Sequence, residues 1–131
     1  MGKILVVDDQ RNMRTTLAIM LRGVGYDVDE AADGAQGREQ GATGAYDVVI
    51  TDLRMGEYDG IEVLRTIKDA QPMTEVIVMT AYGSVENAVE AMREGAYDFI
   101  TKPLKRAHVL AVVGKRVARW RCAPEHPVGP E

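Results

Sequence analysis

One cysteine, Cys122, occurs in 131 residues, so no internal disulfide can form and a reducing compartment suits the chain. Positive charge is not in excess: 16 Lys and Arg stand against 20 Asp and Glu, for a net charge of −4. A global basic footprint for nucleic acid is therefore missing. No apolar run approaches the ~20 residues that span a bilayer. Only Ile4 to Val7 is continuously apolar before the first acids, which leaves no signal-like start. Met1-Gly2 would open a myristoylation signal, but position 6 is Val where Ser or Thr is needed. No internal repeat or low-complexity segment interrupts the chain before its last ten residues. The expectation is a single cytoplasmic domain without membrane attachment, 46% hydrophobic and 27% charged as ordinary globular proteins are.

Apolar runs of strand length alternate with segments of helical period. Ile4 to Val7 is continuous and rich in β-branched residues, as a strand covered on both faces would be. Met13, Leu17, Met20, Leu21 and Val24 then recur at i, i+4, i+7, i+8 and i+11, one helical face, stopped by Gly25. A short strand over 27–31 follows, then a turn at Asp33-Gly34 and a glycine-interrupted helix to about Thr43. Val48 to Thr51 is the next buried run. Ile61, Leu64 and Ile67 mark a helix ended by Pro72, and Val76 to Met79 repeats the strand pattern. Ser84 is placed to cap a helix carrying Val85, Ala88, Val89 and Met92, closed by Gly95. Asp98 to Ile100 reads as a fifth strand, and the last helix runs from Leu104 to about Arg121. Five strands alternating with five helices predict an α/β fold, a parallel sheet with helices on both faces. "APEHPVGPE" holds three prolines and a glycine, so a domain over 1–121 is expected to end in a disordered tail or the start of a linker over 122–131.

The chemistry collects where the strands end. "ILVVDDQ" runs from a buried strand straight into Asp8 and Asp9, and "YDVVITD" ends in Asp52. Two carboxylates about 5 Å apart repel by about 3 kcal/mol at an effective dielectric of 20, so the acids only destabilise unless a cation gathers them. In an open α/β sheet, ligands bind beyond the carboxyl ends of the strands. Thr80 ends the fourth strand and Lys102 follows the fifth, so one rim collects three acids, a hydroxyl and an ammonium. Oxygen-only ligands suit a hard cation such as Mg²⁺, and the ammonium and hydroxyl suit phosphoryl oxygens. A carboxylate can also be a nucleophile that forms an aspartyl-phosphate. Singly, each residue has a plainer reading: Asp9 could merely cap the following helix, Thr80 could be a turn residue and Lys102 a solvated charge. Their joint placement, with Pro103 after Lys102, is hard to explain by chance.

"ILVVDD", "VVITDLRM", "VIVMTAYGS" and "AYDFITKP" resemble the motifs of CheY-like response-regulator receiver domains, and the resemblance covers residues 3–121. It implies a flavodoxin-like, doubly wound five-stranded parallel sheet in the order 2-1-3-4-5. By matching position, it implies Asp52 as phosphoacceptor, with Asp9, Asp52 and the Arg54 backbone carbonyl on Mg²⁺ and Asp8 acting through water. Lys102 would hold a phosphoryl oxygen and Thr80 would move to bond another. Ala81 matches the small residue that keeps the pocket open, and Phe99 matches the aromatic switch position. Arg54 and Tyr82 would tune hydrolysis, and the Lys102-Pro103 bond is expected to be cis. Neither His108 nor His126 belongs to this chemistry.

One local departure stands out: Gly56 and Glu57 occupy positions where such receivers usually show Pro-Gly, so the loop is expected to be more mobile and its metal affinity altered. The resemblance further implies a sensor histidine kinase as phosphodonor and a switch surface on the fourth helix, fifth strand and last helix. That surface would act on an output domain or downstream protein. "TDLRM" and "TAYGS" are most similar to NtrC-type receivers, which control sigma-54-dependent transcription through an attached ATPase. Glu86, Glu90 and Glu94 form an acidic stripe, and Lys105, Arg106, Lys115, Arg116, Arg119 and Arg121 a basic last helix. Across two copies these faces could pair in a phosphorylation-linked homodimer. Direct nucleic-acid binding is not expected of this domain. A Mg²⁺-dependent phosphatase would share the aspartyl-phosphate chemistry but would want a substrate-enclosing cap, and no insertion is long enough. A flavin module on the same fold would want a phosphate loop where Asp8-Asp9 would repel the cofactor. A receiver-like interaction domain that no longer takes phosphate is a further alternative, although all the matched site residues are present. The chain therefore reads as a self-resetting switch, not an enzyme on an external substrate.

Overall fold

The computed structural model describes residues 2–55, 58–80 and 85–114. Strands β1 (Lys3–Val7), β2 (Asp27–Ala31) and β3 (Val48–Asp52) are joined by helices α1 (Arg11–Arg22) and α2 (Gly34–Thr43). After β3 come two short strands, β4 (Arg54–Met55) and β5 (Tyr58–Asp59), then α3 (Gly60–Ala70), β6 (Glu75–Thr80), α4 (Val85–Arg93) and β7 (Asp98–Thr101). A fifth helix, α5, is described over residues 106–114. Five strands form one parallel sheet ordered β2-β1-β3-β6-β7, which is 2-1-3-4-5 among the sheet strands and the flavodoxin-like order.

Burial explains the strand composition. Every residue of β3 is buried, as are four of the five in β1, because helices cover both faces of the sheet. Alternate residues feed two cores. Ile4, Val6, Ile50 and Ile77 pack with Leu17 and Leu21 of α1 and Val109 and Val113 of α5. Leu5, Val7, Val49 and Val78 pack with Ile61, Leu64 and Ile67 of α3 and Ala91 of α4.

The helix boundaries follow the expected signals with two refinements. Gly25 and Gly95 take positive φ, 102° and 106°, after α1 and α4, a left-handed conformation that glycine adopts without a side-chain clash. Asp33 does not sit in a free turn: its carboxylate accepts from the Gln36 N–H at 2.8 Å and caps α2, with Gly34 as the first helical residue. The antiparallel β4–β5 ribbon was not anticipated, since two-residue strands carry no periodicity. The expected Ser84 cap and the chain from Lys115 onward, including Cys122 and His126, lie outside the described residues. Among the described residues no helix is long and apolar enough to cross a membrane.

Candidate functional site

The carboxyl ends of the parallel strands bring the acids together. Oxygens of Asp8, Asp9 and Asp52 lie within 4.8 Å of one another. Asp8 and Asp52 are buried, and Asp9 is exposed. Lys102 enters from beyond β7, its Nζ 2.8 Å from Asp52 Oδ2 and 4.0 Å from Asp8 Oδ2. The Lys102 N–H also donates to the Thr80 carbonyl at 2.8 Å, so one backbone bond ties the two strand ends to each other. The other Asp52 oxygen accepts from the Arg54 N–H at 3.2 Å.

At this rim, two buried polar atoms of the described residues lack a hydrogen bond. Asp8 Oδ2 and Thr80 Oγ1 are buried and form no hydrogen bond. Buried polar groups are nearly always paired, so an orphaned pair at one rim marks a place prepared for a ligand. Burial pushes the Asp8 carboxyl up, and the Gln10 N–H donating to its Oδ1 at 2.9 Å pulls it back. Asp52 and Asp9 add to the upward push, while Lys102 opposes it. Lys102, Thr80 and Asp52 line a pocket of about 190 Å³ with Gln10, Leu53, Arg54 and Asn87.

The plainer readings fare poorly against this arrangement. Asp9 does not cap α1; Gln10 holds that position and makes no side-chain capping bond. Phe99, at the expected switch position, is 37% exposed and not packed in the core. It flanks an open groove of about 320 Å³ with Ala88, Val89, Met92 and Arg93. Lys102-Pro103 is cis, and Pro103 and Arg54 are both exposed at the site's edge. His108 is an exposed residue of α5. The expected roles of Ala81, Tyr82, Gly56 and Glu57 fall on residues outside those described.

The acidic stripe needs correction. Glu94 is engaged within the molecule, its two oxygens accepting from Arg65 Nε at 2.8 Å and Nη2 at 2.9 Å. That guanidinium holds its carboxyl below the usual range. Glu86 and Glu90 remain exposed on α4, and Lys105 and Arg106 are exposed at the start of α5; the other four basic residues lie outside the described residues.

Sequence reasoning missed several residues that shape the site. Asn87 and Gln10 line the pocket, yet a carboxamide in a helical first turn carries no distinctive signal. Gly60 rests on the site's floor: a Cβ there would lie 2.3 Å from the Asp52 carbonyl oxygen and 2.6 Å from the Leu53 Cα. The Asp-Gly pair before the α3 apolar pattern was the available hint. Arg14 donates from Nη1 to the Asp8 carbonyl at 2.8 Å, a contact made by a residue that helical periodicity places on a polar face.

A family model described as the response regulator receiver domain matches residues 4–114. This chain belongs to that family. The receiver is 46% identical over 115 residues to the transcriptional regulatory protein ZraR of Escherichia coli K12, which covers 88% of this chain and 26% of that protein. It is 34% identical over 120 residues to the DNA-binding transcriptional regulator NtrC of the same strain, covering 92% of this chain and 26% of that one. A crystal structure of NtrX from Brucella abortus superposes with a TM-score of 0.87 at 31% identity, over 95% of this chain and 29% of the other. These sigma-54-activator-type relatives agree with the NtrC-type resemblance of "TDLRM" and "TAYGS". The receiver spans about a quarter of the length of these curated relatives.

Proposed function

We propose that this receiver is a phosphorylation switch of a two-component system, with Asp52 as the residue that takes a phosphoryl group from a sensor histidine kinase. The observation that carries the reading is the pairing of Asp52 with Lys102 at 2.8 Å beside the unpartnered Thr80 hydroxyl, all on one pocket. The transfer breaks the P–N bond of a phosphohistidine and forms a P–O bond on the Asp52 carboxylate, and the freed imidazole takes a proton. Lys102 stays beside the new acyl phosphate and neutralises part of its charge, while Thr80 swings its hydroxyl onto another phosphoryl oxygen. Hydrolysis of the acyl phosphate resets the site, with Arg54 and Tyr82 tuning its rate. The chain is thus a switch that modifies and resets itself, not a catalyst for an external substrate.

The acidic cluster fits a divalent cation. Its donors are all oxygens, Asp8 Oδ2 accepts no hydrogen bond, and Asp9 is exposed, which lets waters complete a hydrated ion's shell. The residues that would hold Mg²⁺ are Asp9, Asp52 and the Arg54 carbonyl, with Asp8 through water. When bound, the ion supplies charge neutralisation for the acids and the transferring phosphoryl oxygens.

The output is a shift between two conformers. Thr80 drawn onto the phosphate lets Phe99 turn inward from its exposed position. The change reaches a surface formed by α4, β7 and α5, which faces an attached output domain or a downstream protein in the cytoplasm. Control of transcription is the output that the regulator relatives suggest. The receiver proper is assigned to 1–121 and a tail or linker to 122–131. Incubation with a small phosphodonor and Mg²⁺ should add one phosphoryl group per chain by mass spectrometry. Asp52→Asn or Asp52→Ala should abolish labelling. Stoichiometric labelling of either variant would overturn the assignment.

A further inference from the structure

Arg14 meets the acidic turn from α1 and is not among the residues lining the pocket. It lies in the first turn of α1, its own N–H bonded to the Gln10 carbonyl at 3.0 Å. Its Nη1 donates to the Asp8 carbonyl at 2.8 Å, and its Nε donates to Glu30 Oε1 at 3.2 Å. Glu30 stands beside Val6 in the β1–β2 ladder. Its second oxygen lies 3.5 Å from Arg22 Nη2, which also donates to the Val28 carbonyl at 2.7 Å. The Arg14 side chain is only 15% exposed. One planar guanidinium therefore joins α1, β2 and the turn between β1 and α1, a fork geometry that a lysine ammonium does not reproduce.

The Asp8 carbonyl belongs to the peptide plane that leads into Asp9. Because that unit is rigid, holding its oxygen fixes where the Asp9 backbone stands. The Asp9 carboxylate has no hydrogen-bond partner among the described residues, so its placement depends on that plane. The Asp8 N–H is bound to the Ala31 carbonyl at 3.2 Å, and Asp8 Oδ1 to the Gln10 N–H at 2.9 Å. Arg14 supplies the remaining constraint on the turn.

We propose that Arg14, held in place by Glu30, is a positioning residue that fixes the Asp8–Asp9 turn for divalent-cation binding. The inference rests on the cation reading of the acidic cluster. A purely electrostatic role has the opposite sign: removing a cation near three acids should tighten binding of a divalent ion. Loss of positioning should weaken it. The direction of the change separates the two.

The test is calorimetric titration of the full 131-residue chain with MgCl₂ at fixed ionic strength. Groups that orient metal ligands from behind usually contribute at least tenfold in affinity, so Arg14→Met should weaken Mg²⁺ binding about tenfold. Arg14→Lys keeps the charge without the fork and should also weaken binding. Glu30→Gln should weaken it less than Arg14→Met does. Tyr46→Phe removes a 2.7 Å bond to Asp29 away from the site, and should lower the melting temperature while leaving affinity unchanged. If Arg14→Met does not fold, Arg14→Lys decides by itself. Unchanged or tighter binding in a folded Arg14 variant would overturn the positioning role, as would an equal loss in Tyr46→Phe. A wild-type chain with no affinity for Mg²⁺ would sink the cation reading beneath it.

Discussion

Asp8 is held in the folded chain where its charge is least welcome. It is buried, and one of its oxygens accepts no hydrogen bond. Burial, with Asp52 and Asp9 nearby, raises its carboxyl above the usual range. A raised folded value means that Asp8's contribution to stability is fully present below the ordinary carboxylate range. It is lost as pH rises through the folded value, so the ionised group opposes folding at neutral pH. Asp8→Asn keeps an oxygen for the Gln10 N–H and removes the charge. The variant should be more stable than the wild type without metal at pH 7, by about 1 kcal/mol or more. Its gain should shrink toward pH 4, and Mg²⁺ should stabilise it less than it stabilises the wild type. Thermal melts in chelator and in Mg²⁺ at both pH values check this; a metal-free Asp8→Asn chain melting below the wild type at pH 7 would contradict it.

Helix α2 shows why a weak pattern can still be an element. Few apolar residues mark it, and its buried positions are Gly34, Gly37 and Gly41, because it lies closer to the sheet and to α3 than side chains would allow. A Cβ on Gly37 would come within 2.6 Å and 2.9 Å of the two Val7 methyls. Val7 is β-branched and locked in a central strand, so it cannot give way. One on Gly41 would meet Ile67 Cδ1 at 2.4 Å and Cγ1 at 2.6 Å; the Cδ1 can turn about χ2, but the Cγ1 stands on a β-branched carbon as the Val7 methyls do. Alanine gains roughly 1 kcal/mol of helix propensity at either site. Overpacking costs about 1–3 kcal/mol where neighbours cannot move, so Gly37→Ala should be net destabilising, by up to about 2 kcal/mol. Gly41→Ala should be destabilising as well, because the Ile67 Cγ1 cannot turn away without a change at χ1. Urea unfolding of the two variants checks this, and midpoints at or above that of the wild type would refute the packing argument.

At the scale of the whole molecule, short backbone links join the pocket to the α4–β7 face. Thr80 pairs with Thr101, and the Lys102 N–H holds the Thr80 carbonyl, so in the proposed switch a shift at the pocket would reach β7 through them. Phe99 stands exposed two residues before the end of that strand. Beryllofluoride with Mg²⁺ should turn it inward and slow amide exchange over 98–101 and in α4, with Asp52→Asn unresponsive. An unaltered exchange pattern in the wild type would argue against a switch. Sedimentation of the same samples reports whether a second copy covers the face; an unchanged monomer would end the dimer reading. Because Arg65 engages Glu94, any such pairing would draw on Glu86 and Glu90.

Residue order alone specified the alternation of strands and helices, since burial on both faces demands unbroken apolar runs such as Ile4 to Val7. It also specified that acids, a hydroxyl and an ammonium end those strands. The strand order came from resemblance, because periodicity carries no information about which strands lie side by side. Tertiary structure decided what depends on approach across distant segments. It set the ion pair of Lys102 with Asp52, the orphaned oxygens of Asp8 and Thr80, the engagement of Glu94 by Arg65, and the grip of Arg14 on the Asp8 carbonyl. Such contacts join residues far apart in the chain or buried behind a turn, where distance and exposure exist only once the sheet has formed.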